Sequence, residues 1–191
     1  MTRIKLCGNF HLQDVDYLNE VKPDLAGIIL VPNRRRSVTF ELAKEMRDRL
    51  NIDIPLVGVF SNQKTSEILA YKNIIQVAQL HGQENEQQVY EIQNSGLPVI
   101  KVMKPNGQHQ TCAIKRMIDA GAGTGKTFDW QGFKSNEPLD FLAGGLTTQN
   151  LQRAISLLNP KTVDISSGSE VNGIKNIEKM RELVRIARSN K

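Results

Sequence analysis

Cys7 ends the alternating run Arg3-Ile4-Lys5-Leu6-Cys7-Gly8, and Asp119 ends an aliphatic run that passes through Met117-Ile118. A thiol and a carboxylic acid, each set where an apolar strand gives way to a loop, can act as the base and the acid of a proton-transfer reaction. Each also has a structural reading. A cysteine in an apolar strand is commonly a small buried hydrophobe, and a carboxylate before Gly121 can cap the glycine-rich loop that follows. Position alone leaves the two readings of Asp119 open.

A second kind of chemistry is written in glycines. Ala143-Gly144-Gly145-Leu146-Thr147 and Asp164-Ile165-Ser166-Ser167-Gly168 each leave an apolar run for a turn. Glycines let backbone N–H groups approach a ligand closely, and two such loops at neighbouring strand ends make an anion cradle, with phosphate the natural occupant. Arg36, in Arg34-Arg35-Arg36, adds a planar cation suited to a carboxylate. His81, in Gln79-Leu80-His81-Gly82, reads as a hydrogen-bonded liner of the same mouth. No His, Cys and carboxylate set has metal-ligand spacing, so a metal is not expected. Gly125-Lys126-Thr127 resembles part of a P-loop, but that pattern requires glycine at position 120, where Ala120 stands.

These groups need elements to hold them. Eight aliphatic runs recur along the chain: Arg3 to Cys7, Leu25 to Val31, Leu56 to Phe60, Ile75 to Leu80, Pro98 to Met103, Ile114 to Asp119, Leu139 to Ala143 and Thr162 to Ser166. Between them lie segments of helical period. Thr147 can cap a helix bearing Leu151, Ala154, Ile155 and Leu158 on one face, which Asn159-Pro160 stops. Thr39 can cap another with Leu42, Met46 and Leu50; Gln83 to Asn94 reads as a polar surface helix; Ile177, Met180, Val184 and Ala187 stripe the last. Full helices are hard to find in Lys104 to Ala113 and Thr127 to Asn136. Strand and helix alternating eight times, with strands apolar on both faces, predict a single-domain α/β protein over residues 1–191: an eightfold β/α (TIM) barrel with shortened fifth and sixth helices. In such a barrel the C-terminal strand ends carry the chemistry, and that is where all the residues above fall.

The totals agree. A chain of 191 residues with 39% hydrophobic and 24% charged residues can bury a core without disulfides. Two cysteines and an N-terminus without a secretory pattern predict a reducing cytoplasm. No apolar run approaches membrane-spanning length. A net charge of +5 with the arginine run raises the alternative of a nonenzymatic barrel that binds RNA or a partner protein. With 5% aromatic residues and otherwise scattered cations, a solvated face making a few anion contacts is favoured instead, and no nucleic acid is expected.

In this order and spacing the motifs Lys5-Leu6-Cys7-Gly8, Arg36-Ser37-Val38, Val57-Gly58-Val59-Phe60, Gln79-Leu80-His81-Gly82, Gly123 to Trp130, Leu142 to Leu146 and Val163 to Gly168 resemble the phosphoribosylanthranilate isomerases of tryptophan biosynthesis. The resemblance implies a small phosphorylated substrate, no cofactor, and a monomer or homodimer. It implies an Amadori rearrangement in which Asp119 is the general acid and Cys7 the general base. Arg36, His81, Gly144, Gly145, Ser166, Ser167 and Gly168 would bind substrate. Arg36, loop dipoles and Lys5 are expected to favour the Cys7 thiolate, whereas an acid working near neutral pH requires the opposite shift. The related histidine-pathway isomerase, which acts on an aminoimidazole carboxamide ribotide, is a further alternative; it uses two aspartates and two half-barrels, and this chain shows no half-to-half repeat. Arg34-Arg35 stand where the phosphoribosylanthranilate isomerases commonly have serine before the arginine, and Asn176 where aspartate is usual in them.

Overall fold

The computed structural model describes residues 1–107, 110–119, 127–133 and 138–189. Eight parallel strands close into a barrel in chain order: β1 Arg3–Leu6, β2 Leu25–Ile29, β3 Leu56–Phe60, β4 Val77–Leu80, β5 Val99–Met103, β6 Lys115–Asp119, β7 Phe141–Ala143 and β8 Thr162–Ile165. Closure is made by β1 against β8, with Arg3 to Leu6 in register with Thr162 to Ile165. Outside the strands run helices α1 Leu12–Val21, α2 Phe40–Arg49, α3 Thr65–Leu69, α4 Glu86–Asn94, α5 Leu151–Leu158 and α6 Ile177–Ser189. A two-strand hairpin, β9 Glu170–Val171 and β10 Ile174–Lys175, is inserted between β8 and α6.

Alternation along each strand divides the buried residues into two sets. One side chain in two faces the helices: Ile4, Leu6, Ile28, Phe60 and Leu80 join Leu18, Met46, Ile68, Ile92 and Leu183 in a continuous outer core. The others fill the barrel, where Leu25, Val57, Ile100, Met117, Phe141 and Ala143 form a compact plug. The N-terminal half of the barrel is thus closed by hydrocarbon. Polar side chains collect toward the other end.

Helix starts follow local chemistry, with one difference from the sequence reading. Thr39 caps α2 as expected, its hydroxyl accepting the Leu42 N–H at 3.2 Å. Thr147 does not cap α5 with its side chain. The helix begins later, at Leu151, because Asn150 folds back: its Oδ1 accepts the Thr147 N–H at 2.8 Å and its Nδ2 donates to the Gly145 carbonyl at 2.9 Å. Asn176 starts α6 by accepting the Lys179 N–H at 3.0 Å, the task an aspartate would perform. Among the described residues the connections after β5 and β6 contain no helix, so the chain saves its length there.

A buried ion pair braces the loops after β3 and β4. Lys101 Nζ lies 2.6 Å from Glu84 Oε2, and the Glu84 carboxylate also accepts N–H bonds from Asn62 at 2.8 Å and Gly82 at 3.0 Å. Burial works against ionisation of Glu84, but Lys101 and these donors outweigh it and hold the group below the usual carboxylate range. A lowered carboxylate stabilises the fold fully above its unfolded value, about 4, and loses that contribution as pH falls through the lowered folded value. Glu84→Gln leaves Lys101 buried without its counter-charge and should cost about 3–5 kcal/mol in urea unfolding at neutral pH. The difference from the parent should shrink as the titration is repeated toward acid; a constant difference would mean that the pair's charge is not what matters.

Candidate active site

Strand ends bring the expected residues to one face in two groups. On the wall made by β1, β2 and β8, Cys7 follows β1 and is buried, its N–H donating to the Ile165 carbonyl at 2.8 Å. Arg36 reaches this wall from the loop after β2, donating to Ser166 Oγ and, at 2.9 Å, to Glu170 Oε1. On the opposite wall His81 follows β4 and Asp119 ends β6, with His81 Nε2 3.3 Å from Asp119 Oδ2. His81 is anchored by its own N–H to the Phe60 carbonyl at 2.9 Å.

The glycine-rich loops lie side by side between these groups in barrel order. Gly144 and Gly145 take φ of 94° and 65° as the chain leaves β7. Ser166 leads into a single 3₁₀ turn, Ser167–Ser169, after β8. A side chain at Gly168 would run into the Leu146 carbonyl, so the two loops close on each other only because position 168 is glycine. Ser167 is exposed and Ser166 half-buried, which turns the start of this turn toward solvent, while Ser169 at its end is buried.

Four residues at this face escaped the candidate set. Glu170, buried on β9, binds Arg35 Nη2 at 2.9 Å, Arg36 Nη1 at 2.9 Å and Lys175 Nζ at 3.3 Å. Lys175 in turn donates to the Cys7 carbonyl at 2.7 Å and the Ser166 carbonyl at 2.9 Å. Within the barrel, below the mouth, Lys5 Nζ lies 2.8 Å from Asp164 Oδ1, with both residues buried. The apolar setting of Lys5 was the available signal, since a charge in such a run must find a partner; Glu170 and Lys175, in the polar stretch from Ser169 to Asn176, carry no such sign. The arginine run divides: Arg34 and Arg35 are exposed, Arg35 reaching Glu170 and donating to the Gly173 carbonyl at 2.7 Å, whereas Arg36 is largely buried against Glu170.

The electrostatics of Cys7 differ in sign from the expectation. Burial pushes the thiol up; Lys5 and Lys175 pull it down, Asp164 pushes further up, and the net direction is upward. Lys175 is lowered, chiefly by burial, against the attraction of Glu170. Among the described residues no three His, Cys, Asp or Glu side chains converge as a metal site would require, and no helix is long and apolar enough to cross a membrane. Residues 120–126, including Gly125-Lys126 of the P-loop-like segment and much of the loop after Asp119, lie outside the described residues.

A buried thiol and a carboxylate on facing walls, with two glycine-rich loops between them at the mouth of a parallel barrel, are the arrangement of a barrel enzyme suited to proton transfer on an anionic substrate. Residues 4–186 match the family described as N-(5′-phosphoribosyl)anthranilate isomerase. The N-(5′-phosphoribosyl)anthranilate isomerase of Lactiplantibacillus plantarum is 38% identical over 192 residues, covering 98% of this chain and 92% of the relative. The phosphoribosylanthranilate isomerase of Thermus thermophilus superposes over all of both chains with a TM-score of 0.87 at 28% identity. A further isomerase of this kind, solved in complex with reduced 1-(o-carboxyphenylamino)-1-deoxyribulose 5-phosphate, superposes at 0.83 with 26% identity, covering 98% of this chain and 99% of that one. The chain belongs to the N-(5′-phosphoribosyl)anthranilate isomerase family, and its activity is the isomerisation of that substrate in tryptophan biosynthesis.

Proposed function

We propose that the rearrangement runs between Asp119 as general acid and Cys7 as general base. The observation that carries this reading is their placement at the ends of β6 and β1, on facing walls of one mouth. Asp119 donates its proton to the ribose ring oxygen as the bond from C1 to that oxygen breaks, and the anthranilate nitrogen supplies the electron pair that makes the iminium. The Cys7 thiolate then removes the proton from C2, and those electrons neutralise the iminium to give an enolamine. Protonation at C1 with loss of the C2 hydroxyl proton leaves the ketone. Hydrogen has moved from C2 to C1 with no net oxidant, so neither a cofactor nor a metal is required by the balance.

Arg36 is the partner for the anthranilate carboxylate, with His81 lining the mouth beside Asp119. Gly144, Gly145, Ser166, Ser167 and Gly168 hold the phosphate. The packing of Gly168 under Leu146 supports one continuous cradle rather than two turns. Residues 1–191 act as one barrel domain in the cytoplasm, as a monomer or homodimer, since every group invoked comes from a single chain. The pairing of Arg35 and Arg36 with Glu170 speaks against a nucleic-acid surface.

The test is turnover of N-(5′-phosphoribosyl)anthranilate without added metal or nucleotide, followed by loss of anthranilate fluorescence. Arg36→Ala should raise KM at least about tenfold, the loss of a charge-assisted hydrogen bond. Arg34→Ala should leave both kinetic constants near the parent values. Equal, mild effects at the two positions would remove Arg36 from the site.

A further inference from the structure

A lysine with no exposed surface inside a barrel is costly unless something compensates its charge. Lys5 has Asp164 on one side, 2.8 Å from Nζ. On its other side is sulfur. A methyl group on Gly27 would come 2.7 Å from Cys7 Sγ and 3.0 Å from Lys5 Nζ, so both atoms sit over the same Cα, in space that exists because β2 has no side chain there. We propose that Lys5, held by Asp164, is a positioning residue that keeps the Cys7 sulfur available as a thiolate. This rests on Cys7 being the base.

The other charges around Cys7 are already engaged. Lys175, from β10, donates to the Cys7 carbonyl rather than to its sulfur and is tied to Glu170 at 3.3 Å. Arg36, from the loop after β2, stands 2.9 Å from where a Gly8 side chain would begin, and Glu170 on β9 holds it at 2.9 Å. Asp119 on β6, with His81 after β4, belongs to the facing wall. Lys5 is therefore the cation aimed at the sulfur itself. Burial works against its charge, yet Asp164 and Cys7 together keep it raised above the ordinary lysine value. The same pair acts on Cys7 with opposite signs, Lys5 favouring the thiolate and Asp164 opposing it.

Those opposed signs make the test. Cys112→Ser removes the one other cysteine, an exposed one, so the ultraviolet absorbance of thiolate then reports Cys7 alone. Lys5→Met should move the midpoint of that titration upward by about one pH unit, a tenfold loss of thiolate at fixed pH. Asp164→Asn should move it downward, because the thiolate becomes the remaining counter-charge of the Lys5 ammonium. General loosening of the barrel would shift both variants the same way. If Lys5→Met does not fold, Lys5→Met/Asp164→Asn replaces the pair with neutral groups and should still titrate above the parent. The acidic limb of kcat/KM should follow the same midpoints. Shifts of equal sign in the single variants, or a double variant that titrates with the parent, would overturn the proposal. Turnover of Cys7→Ser separately measures whether the sulfur is the base, so the two readings fail independently.

Discussion

Cys7→Ser should lower kcat by about 10²–10⁴-fold while the protein stays folded. Serine fits the space beside Gly27 and keeps the Ile165 hydrogen bond, which uses backbone, so the loss is chemical rather than structural. A hydroxyl has no accessible anion at neutral pH. The pH dependence supplies a second readout. A base acts only when deprotonated, and burial pushes the Cys7 thiol up. The parent's kcat/KM should therefore climb with pH through that raised value. In Cys7→Ser this climb should be absent. Near-parent turnover, or an unchanged acidic limb, would exclude Cys7 as the base.

Asp119→Asn should be as severe, again about 10²–10⁴-fold in kcat, because the amide can still accept or donate hydrogen bonds but has no proton to give to the ring oxygen. Ring opening comes first in the proposed sequence, so removing the acid stops the reaction before Cys7 has a C2 proton to take. That order has a measurable consequence. A substrate analogue already open at C1 should restore much of the lost rate to Asp119→Asn and none to Cys7→Ser. Rescue of both variants, or of neither, would disprove the assignment of separate steps.

The barrel was legible because parallel strands buried on both faces appear as nearly continuous apolar runs, and all eight barrel strands fall inside the eight runs. Helices with full stripes, α2, α5 and α6, were legible for the same reason. The five-residue α3 is too short to show a period. At the site, strand ends pointed to Cys7, Asp119 and His81 without any knowledge of contacts. What escaped was pairing at a distance. Arg36 meets Glu170 across 134 positions of sequence, and no local pattern announces such a partner. The upward direction of the Cys7 shift was missed for a related reason: nearby cations can be counted along a chain, but the desolvation that outweighs them exists only once the barrel closes around the sulfur.

The closure of β1 on β8 also bears on how the protein is made. Lys5 meets Asp164 159 residues further on, and the Cys7 carbonyl receives Lys175 168 residues further on. During synthesis the first strand leaves the ribosome with a buried-type lysine and no carboxylate to neutralise it, and it waits for nearly the whole chain before either partner exists. Contacts of such long separation slow folding, because loop closure must be met before they form. The surroundings of Cys7 are consequently incomplete until β8 and β10 emerge, and its sulfur, next to the first strand of the barrel, is among the last groups of the barrel to reach its folded environment.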